Sequence, residues 1–586
     1  MNTEWSLKEL YTGLDDPSYE ADIARAGDKI KELEAFVKTA ETLSLKEVAE
    51  RGLTLREEIE TLLEKPGYYL SLRQSVESEN GDIAAQLNRI MKMIAEVTPF
   101  DTALDKLLAK IPDVDALGEE SELVHDYNFY LKEIQRNAAH LLSDDVEEMA
   151  AAMNLTGGAA WSRLQAYLTS TVEVDYDGKQ VTLSEIRNLA NSPDATVRKA
   201  AYEAELAAYE KIKDPIAFSI NNIKNQVTML SHKRGYESPI AMTLEQSRMK
   251  RETLDALMEA IREYLPVFRK YLRKKSELLG HTDGLPWYDL FAPLGKSDKT
   301  YSIEEARDYL LEVFEKFSPD MSDLMRDAFD HEWIDFYPKK GKVGGAFCSS
   351  IPQFKQSRIL TNYDGTFSSI RTLSHELGHA FHNRQKEEGR ILNQSYPMPV
   401  AETASTFNEV HLGQQALAEA KDEKRLSLLE DDLREYTQIV VDIYSRYLFE
   451  TAVFEQSQSK FLMADDLKQM MLDAQKTAYG DGLNEQFLHP YMWVNKSHYY
   501  RDSLSFYNFP YAFGNLFALG LYAMFRKEGD AFVGKYKSML KATPCCTIEE
   551  AAAMMGIDVT KKTFWEESLA EVAKEVEEFC MSASIA

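Results

Sequence analysis

Two histidines four residues apart, His375 and His379, constrain this chain more than any other feature, because they can act together only if the stretch around them is a helix. On a helix, residues i and i+4 lie one above the other on the same face. Ser374-His375-Glu376-Leu377-Gly378-His379-Ala380-Phe381-His382 then becomes a two-pronged ligand for a metal ion. Neutral imidazole suits zinc, and a zinc that does chemistry wants three protein ligands with a fourth position left to water. The fold must therefore bring a second element against this helix to supply the third ligand. Glu376 points about 100° round the helix from His375 and so stands beside the metal rather than on it. From there a carboxylate can take a proton from zinc-bound water, whose pKa falls to roughly 7, and return it to a leaving amine.

A lone HExxH also arises by chance, so its surroundings decide what it means. Glu387 and Glu388 lie only two turns past His379, before Gly389 ends the helix, and cannot easily fold back to the metal. Glu402 sits in Pro399-Val400-Ala401-Glu402-Thr403-Ala404-Ser405-Thr406-Phe407-Asn408-Glu409, a new helical stretch after the turn-rich Asn393-Gln394-Ser395-Tyr396-Pro397. Packed against the first helix, it would present Glu402 as the third ligand and Glu409, two turns on, as the acid that orients a ligand histidine. The HxxGxxH continuation of the metzincins is absent, since His382 and Gln385 stand where its glycine and third histidine belong. Upstream, Gly344-Gly345-Ala346-Phe347-Cys348-Ser349 reads as an extended segment where another backbone can approach closely. A peptide adds readily as a strand to such an edge, because main-chain hydrogen bonds accept any sequence.

Elsewhere the pattern is helical. From Tyr19 to about Asn154 apolar residues recur at spacings of three and four, and Ser44-Leu45-Lys46-Glu47 is a capping box. Between Thr171 and Leu183 the period changes to two around Asp177-Gly178, which predicts a β-hairpin. Ser192-Pro193 predicts a helix start, with Ser192 as N-cap, and a domain boundary falls near residue 190. This gives an N-terminal helical region, 1–190, carrying the hairpin at 171–183, and a catalytic region, 191–586. Gly280 to Pro286 breaks the next long helix before Ser302-Ile303-Glu304-Glu305 caps another.

A formal charge of −29 argues against nucleic acid and anionic membrane surfaces as partners. Four cysteines, two of them adjacent at Cys545-Cys546, form no ligand pattern and suit a reducing compartment. The N-terminus lacks a cationic region followed by an apolar run, and no stretch of about 18 apolar residues occurs, so a cytoplasmic protein is expected.

The pairing of His375-Glu376-Leu377-Gly378-His379-Ala380-Phe381-His382 with Val400-Ala401-Glu402-Thr403-Ala404-Ser405 resembles the oligoendopeptidase F branch of the thimet-oligopeptidase-like zinc metallopeptidases. Further stretches are similar to the same branch: Trp5-Ser6-Leu7-Lys8-Glu9-Leu10-Tyr11, Arg234-Gly235-Tyr236-Glu237-Ser238-Pro239, Tyr288-Asp289-Leu290-Phe291-Ala292-Pro293 and Phe506-Tyr507-Asn508-Phe509-Pro510-Tyr511. The resemblance covers nearly the whole chain and is strongest from about residue 200 onward. It implies a mainly α fold, a two-lobed helical ellipsoid with a deep central channel and a small β-sheet near the active site. It also implies one Zn2+ per chain on His375, His379 and Glu402, and oligopeptide substrates cut with Glu376 moving the protons. A histidine and tyrosines that reach the developing oxyanion in the family match His498, Tyr507 and Tyr511 here. Four residues apart, Tyr507 and Tyr511 would converge if one helix carried both. The motif does not separate an endopeptidase from a carboxypeptidase or peptidyl-dipeptidase. A peptide-binding protein with a vestigial zinc site is the reading from another class, and the intact Glu376 argues against it.

Overall fold

The computed structural model describes residues 2–295 and 299–582. Three long helices open the chain: α1 (Pro17–Thr39), α2 (Leu45–Val76) and α3 (Gly81–Leu108). The capping box that starts α2 forms as expected, Glu47 N–H donating to Ser44 Oγ at 3.2 Å and Ser44 N–H to Glu47 Oε2 at 3.0 Å. These helices, with the shorter helix Asn128–Ala138, bury one apolar cluster that includes Ile30, Leu53, Leu104 and Leu131. A second cluster joins Trp5, Tyr11, Tyr69 and Leu72 to Ile351 and Leu360 of the distant sheet. Then follow α4 (Asp144–Asn154), α5 (Gly158–Thr171) and the hairpin of β1 (Val174–Tyr176) and β2 (Lys179–Val181). Its two turn residues, Asp177 and Gly178, both take positive φ, as a tight hairpin turn demands.

After a short helix at Leu183–Asn188, the long helix α6 (Ala195–Lys233) starts later than the sequence predicts. Its cap is Asp194, whose carboxylate accepts from Thr196 N–H at 2.8 Å, while Ser192 stays extended before it. Along α7 (Arg251–Leu278), Leu254, Leu257, Met258, Ile261, Leu265, Phe268 and Leu272 are buried. That is the three-and-four spacing of a single buried face, each such side chain contributing about 1.5–3 kcal/mol. These residues belong to one large cluster running from Val174 to Phe579. Because the hairpin and the helix after it share that cluster, we propose that the division between the two regions lies before the hairpin rather than at residue 190.

Three strands, β3 (Ile334–Asp335), β4 (Phe347–Ile351) and β5 (Gln356–Leu360), form a small sheet in the order β3-β5-β4, with β3 parallel and β4 antiparallel to β5. β4 is therefore an edge. Alternation sends Phe347 and Ile351 to the N-terminal cluster and Cys348 the other way, where Asn383 donates to its sulfur at 3.8 Å. Asn383 lies on α8 (Phe367–Lys386), the helix of the two histidines. Further along the chain come α9 (Thr403–Glu419), which packs against α8, and the helices α10 (Asp422–Tyr436), α11 (Ile443–Ser457), α12 (Phe509–Glu528) and α13 (Lys562–Ser582). Buried ion pairs tie this body together across long sequence distances: Lys275 to Glu430 at 2.6 Å and Lys224 to Glu450 at 2.7 Å. The fold is mainly α with a small sheet beside the histidine helix. Among the described residues no helix is long and apolar enough to cross a membrane.

Candidate active site

Thr366 caps α8 by accepting from Ser369 N–H, and the helix runs unbroken through both histidines. α9 crosses it so closely that a Cβ on Gly378 would lie 2.6 Å from Ala404 O and from Ser405 Cα. Only a residue without a side chain permits this approach. A second tie is the Asn408 amide, which donates to Ser374 O at 3.1 Å. Glu402 does not stand within a continuous helix, as the sequence suggested. It sits at a break, φ −94° and ψ 4°, between a short turn of helix, Met398–Ala401, and α9. The helix register therefore does not dictate its direction. Ser405 does, its hydroxyl donating to Glu402 Oε2 at 2.8 Å. Gly514 on α12 completes the cradle, since a Cβ there would touch Glu402 Cβ at 3.4 Å.

The result is a triangle of ligand atoms. His375 Nε2 lies 3.2 Å from His379 Nε2 and 3.2 Å from Glu402 Oε2, and His379 Nε2 lies 3.3 Å from the same oxygen. Tetrahedral coordination with bonds of about 2.0–2.1 Å requires edges of about 3.3–3.4 Å. These three residues therefore fit zinc in number, atom type and spacing, two histidines and one glutamate whose ligand atoms lie close enough together to hold one ion. His375 Nδ1 hydrogen-bonds Glu409 Oε1, which fixes the tautomer that turns Nε2 toward the other two ligands. Glu376 is 5% exposed on the same helix. Burial pushes its carboxyl above the ordinary range, opposed by the two imidazoles.

His498 lies in a short 3-10 turn, and Tyr507 precedes α12 while Tyr511 sits in its first turn. The tyrosines are thus not one helical turn apart, contrary to the sequence expectation. They still meet: their rings are 5.8 Å apart, and His498 lies 4.6 Å from Tyr507 and 6.1 Å from Tyr511. The Tyr511 phenol is pushed up by burial and by its hydrogen bond with Tyr507. His498 Nδ1 bonds Asn508 Oδ1 at 2.7 Å, and Arg446 Nη1 bonds the same oxygen at 3.0 Å. A guanidinium can only donate, so this atom is the amide oxygen and His498 Nδ1 carries the proton. Burial holds the imidazole below its ordinary pKa, and Arg446, Lys496 and Arg501 add to the effect against the pull of Asn508. In its neutral form the ring leaves Nε2 as an acceptor.

Gly344, Gly345 and Ala346 lead into the edge strand β4 at Phe347. Gly345 has φ +80°, and its carbonyl accepts from Asn362 at 2.8 Å. Gly344 and Gly345 are exposed, Ala346 and Phe347 half-buried.

The chain matches the profile of peptidase family M3 over residues 188–571, and that of the oligopeptidase F N-terminal part over residues 107–173. The chain belongs to peptidase family M3. Among curated relatives, the oligopeptidase PepF of Bacillus subtilis is 28% identical over 455 residues, 75% of this chain and 67% of the relative. An oligoendopeptidase F homolog of Lactococcus lactis is 26% identical over 609 residues, 98% of this chain and 97% of its own length. The crystal structure of oligoendopeptidase-F from Enterococcus faecium superposes with a TM-score of 0.70 at 21% identity, covering 96% of this chain and all of that one, a likeness of fold. The chain is thus a metallopeptidase of the oligoendopeptidase F branch of the M3 family.

Several residues that shape this candidate site are not marked by the sequence pattern. Ser405 is one of them, although Ser three residues after a carboxylate is a local hydrogen-bonding signal. Asn508 lies in the run Phe506–Tyr511 with no pattern that marks its bond to His498, and Arg446, on a separate helix, gives no sign in the sequence of its contact with Asn508. Phe506 has φ +55°, a left-handed conformation that is costly for a bulky residue. Its N–H donates to Glu450 Oε1 at 3.0 Å, so the buried Lys224–Glu450 pair holds the turn that delivers Tyr507.

Proposed function

We propose that this M3 peptidase is a zinc-dependent oligoendopeptidase that hydrolyses internal bonds of short unstructured peptides, with His375, His379 and Glu402 holding one Zn2+ per chain. The triangle of ligand atoms beside a buried, uncoordinated Glu376 carries this reading. When bound, zinc would supply a Lewis acid and lower the pKa of the attacking water. Glu376 takes the proton of that water and delivers it to the leaving amine. Glu409 keeps His375 in the tautomer a metal needs. Tyr507 and Tyr511 donate to the oxyanion that forms at the carbonyl, each such donor contributing about 2.7–4 kcal/mol to the rate. His498, neutral and protonated on Nδ1, orients the tyrosine pair through its acceptor Nε2 rather than donating itself.

The free edge of β4 and the Gly344–Phe347 approach to it take the peptide main chain as an added strand. A deep channel between two lobes, as the oligoendopeptidase F branch implies, would admit short peptides and exclude folded proteins. A cytoplasmic location suits the four free thiols.

Glu376→Gln tests the mechanism. The variant is expected to keep its zinc, by elemental analysis, and to lose on the order of 10²–10⁴-fold in kcat. Full activity in the variant would refute the role of Glu376. Mass spectrometry of products from an end-blocked peptide separates the exopeptidase alternative, since cuts only near a free terminus would exclude an endopeptidase.

A further inference from the structure

Between His498 and Tyr507 the chain makes a short irregular excursion whose first residue, Arg501, has no part in the chemistry above. Its side chain is exposed, and its guanidinium lies 4.0 Å from the centroid of the Tyr507 ring. Among the described residues it has neither an ion-pair partner nor a hydrogen-bond acceptor. No other arginine is in this position. Arg163 and Arg269 lack a carboxylate but donate to backbone carbonyls, and the rest meet Asp or Glu. In a chain with 96 acidic and 67 basic residues, an arginine without an acid is the unexpected case.

The obvious acid is held away. Asp502, the next residue, accepts from the Asn154 amide at 2.5 Å. Asn154 Oδ1 in turn accepts from Gln226 at 2.6 Å, and Gln226 Oε1 takes the Gly158 N–H at 2.8 Å. This chain of amides anchors the excursion to α4, α5 and α6 while it occupies the Asp502 carboxylate. The cation–π contact with Tyr507 restrains the guanidinium and leaves its N–H donors without an acceptor among the described residues, and such a fork matches a carboxylate in two bonds. Arg446 nearby is already paired with Asp442, which leaves Arg501 as the guanidinium without a counter-charge beside Tyr507 among the described residues.

We propose that Arg501 is a carboxylate-binding residue of the substrate site, selecting peptides that present a carboxylate close to the bond being cut. The proposal rests on the peptidase reading above. Two sources of that carboxylate are possible, an Asp or Glu side chain beside the scissile bond and the free C-terminus of a short peptide.

The test uses the zinc-loaded full chain and a matched peptide set: a neutral amidated parent, the parent with Glu placed in turn at each position flanking the cut, and the parent with a free C-terminus. The wild type is expected to prefer at least one carboxylate form. Arg501→Ala should lower kcat/KM for that form about tenfold more than for the neutral parent, chiefly through KM. Arg501→Lys should restore part of the difference, and Arg501→Glu should shift the preference to a peptide with Lys at the same place. An effect confined to Glu peptides assigns a side-chain subsite, and one confined to the free terminus assigns a chain-end anchor. Equal losses for every peptide, or an unchanged preference in Arg501→Ala, would overturn the proposal. Calorimetric binding of the same peptides to Glu376→Gln protein, with and without Arg501→Ala, reads the preference without turnover. Failure to cleave any peptide would therefore count against the peptidase reading, while Arg501 is judged on binding alone.

Discussion

The site has a floor and a wall, and they are built on different principles. The floor is two helices, α8 and α9, crossing at a glycine, with the ligand atoms fixed by how closely two backbones approach. The wall, from His498 to Tyr511, is short turns and a left-handed Phe506, held by side chains reaching in from elsewhere: Glu450 to the Phe506 N–H, Arg446 to Asn508, Asn154 to Asp502. A packed crossing fixes position through many small contacts, whereas a few polar ties fix it through single bonds. The floor should therefore fail by losing its metal, and the wall by losing rate with the metal still in place.

Tyr507→Phe probes the wall at its functional tip and has the largest expected effect of the variants that separate wall from floor, a fall of about 10²–10³-fold in kcat with zinc content unchanged. Gly378→Ala probes the floor. The added methyl meets backbone at 2.6 Å and must push α9 away, costing about 1–3 kcal/mol of stability. Zinc retention and thermal midpoint should fall together, with kcat/KM down on the order of 10²-fold. Unchanged zinc content in this variant would break the distinction between floor and wall. Asn154→Ala cuts one tie of the wall and frees Asp502 to meet Arg501. A fall of about tenfold in kcat/KM is expected, greatest for carboxylate-bearing peptides and without loss of zinc.

The same contrast governs what could be read from the chain alone. Helix spacing was enough to nominate Glu402 and Glu409 as partners of His375 and His379, and the structure brings all four together. The hairpin at Asp177-Gly178 and the capping boxes at Ser44 and Ser302 also formed where local chemistry said they should. Such features depend on neighbours in sequence. Two details of the floor escaped, the break at Glu402 and the part of Ser405 in aiming it, because a helical pattern does not register one residue out of phase. The wall was legible only as residue types. Positive φ at Phe506 follows from Glu450 and Lys224, residues separated from it by long stretches of chain, and no local pattern announces that. Asp194 displacing Ser192 as cap of α6 is a smaller case of the same kind, two good caps competing within three residues.

The last expected effect concerns pH and again singles out the floor. His382 on α8 and His411 on α9 are buried, which lowers their pKa values to about 3 and about 4. A histidine with a depressed folded pKa takes its proton more readily in the unfolded chain. The stability it contributes is fully present above about pH 6.5 and is lost as pH falls from there toward the folded values. The thermal midpoint should therefore decline between pH 6.5 and 4.5, and His411→Gln should flatten part of that decline.

Gly378 has a wider bearing. Written as HExxH, the motif leaves its two middle letters open, yet in this protein the second of them admits no side chain at all, for reasons that lie in the neighbouring helix. Anyone transplanting the histidine pair onto another scaffold would have to carry over the vacancy as well as the ligands, because what delivers the distant carboxylate is the space that glycine leaves empty.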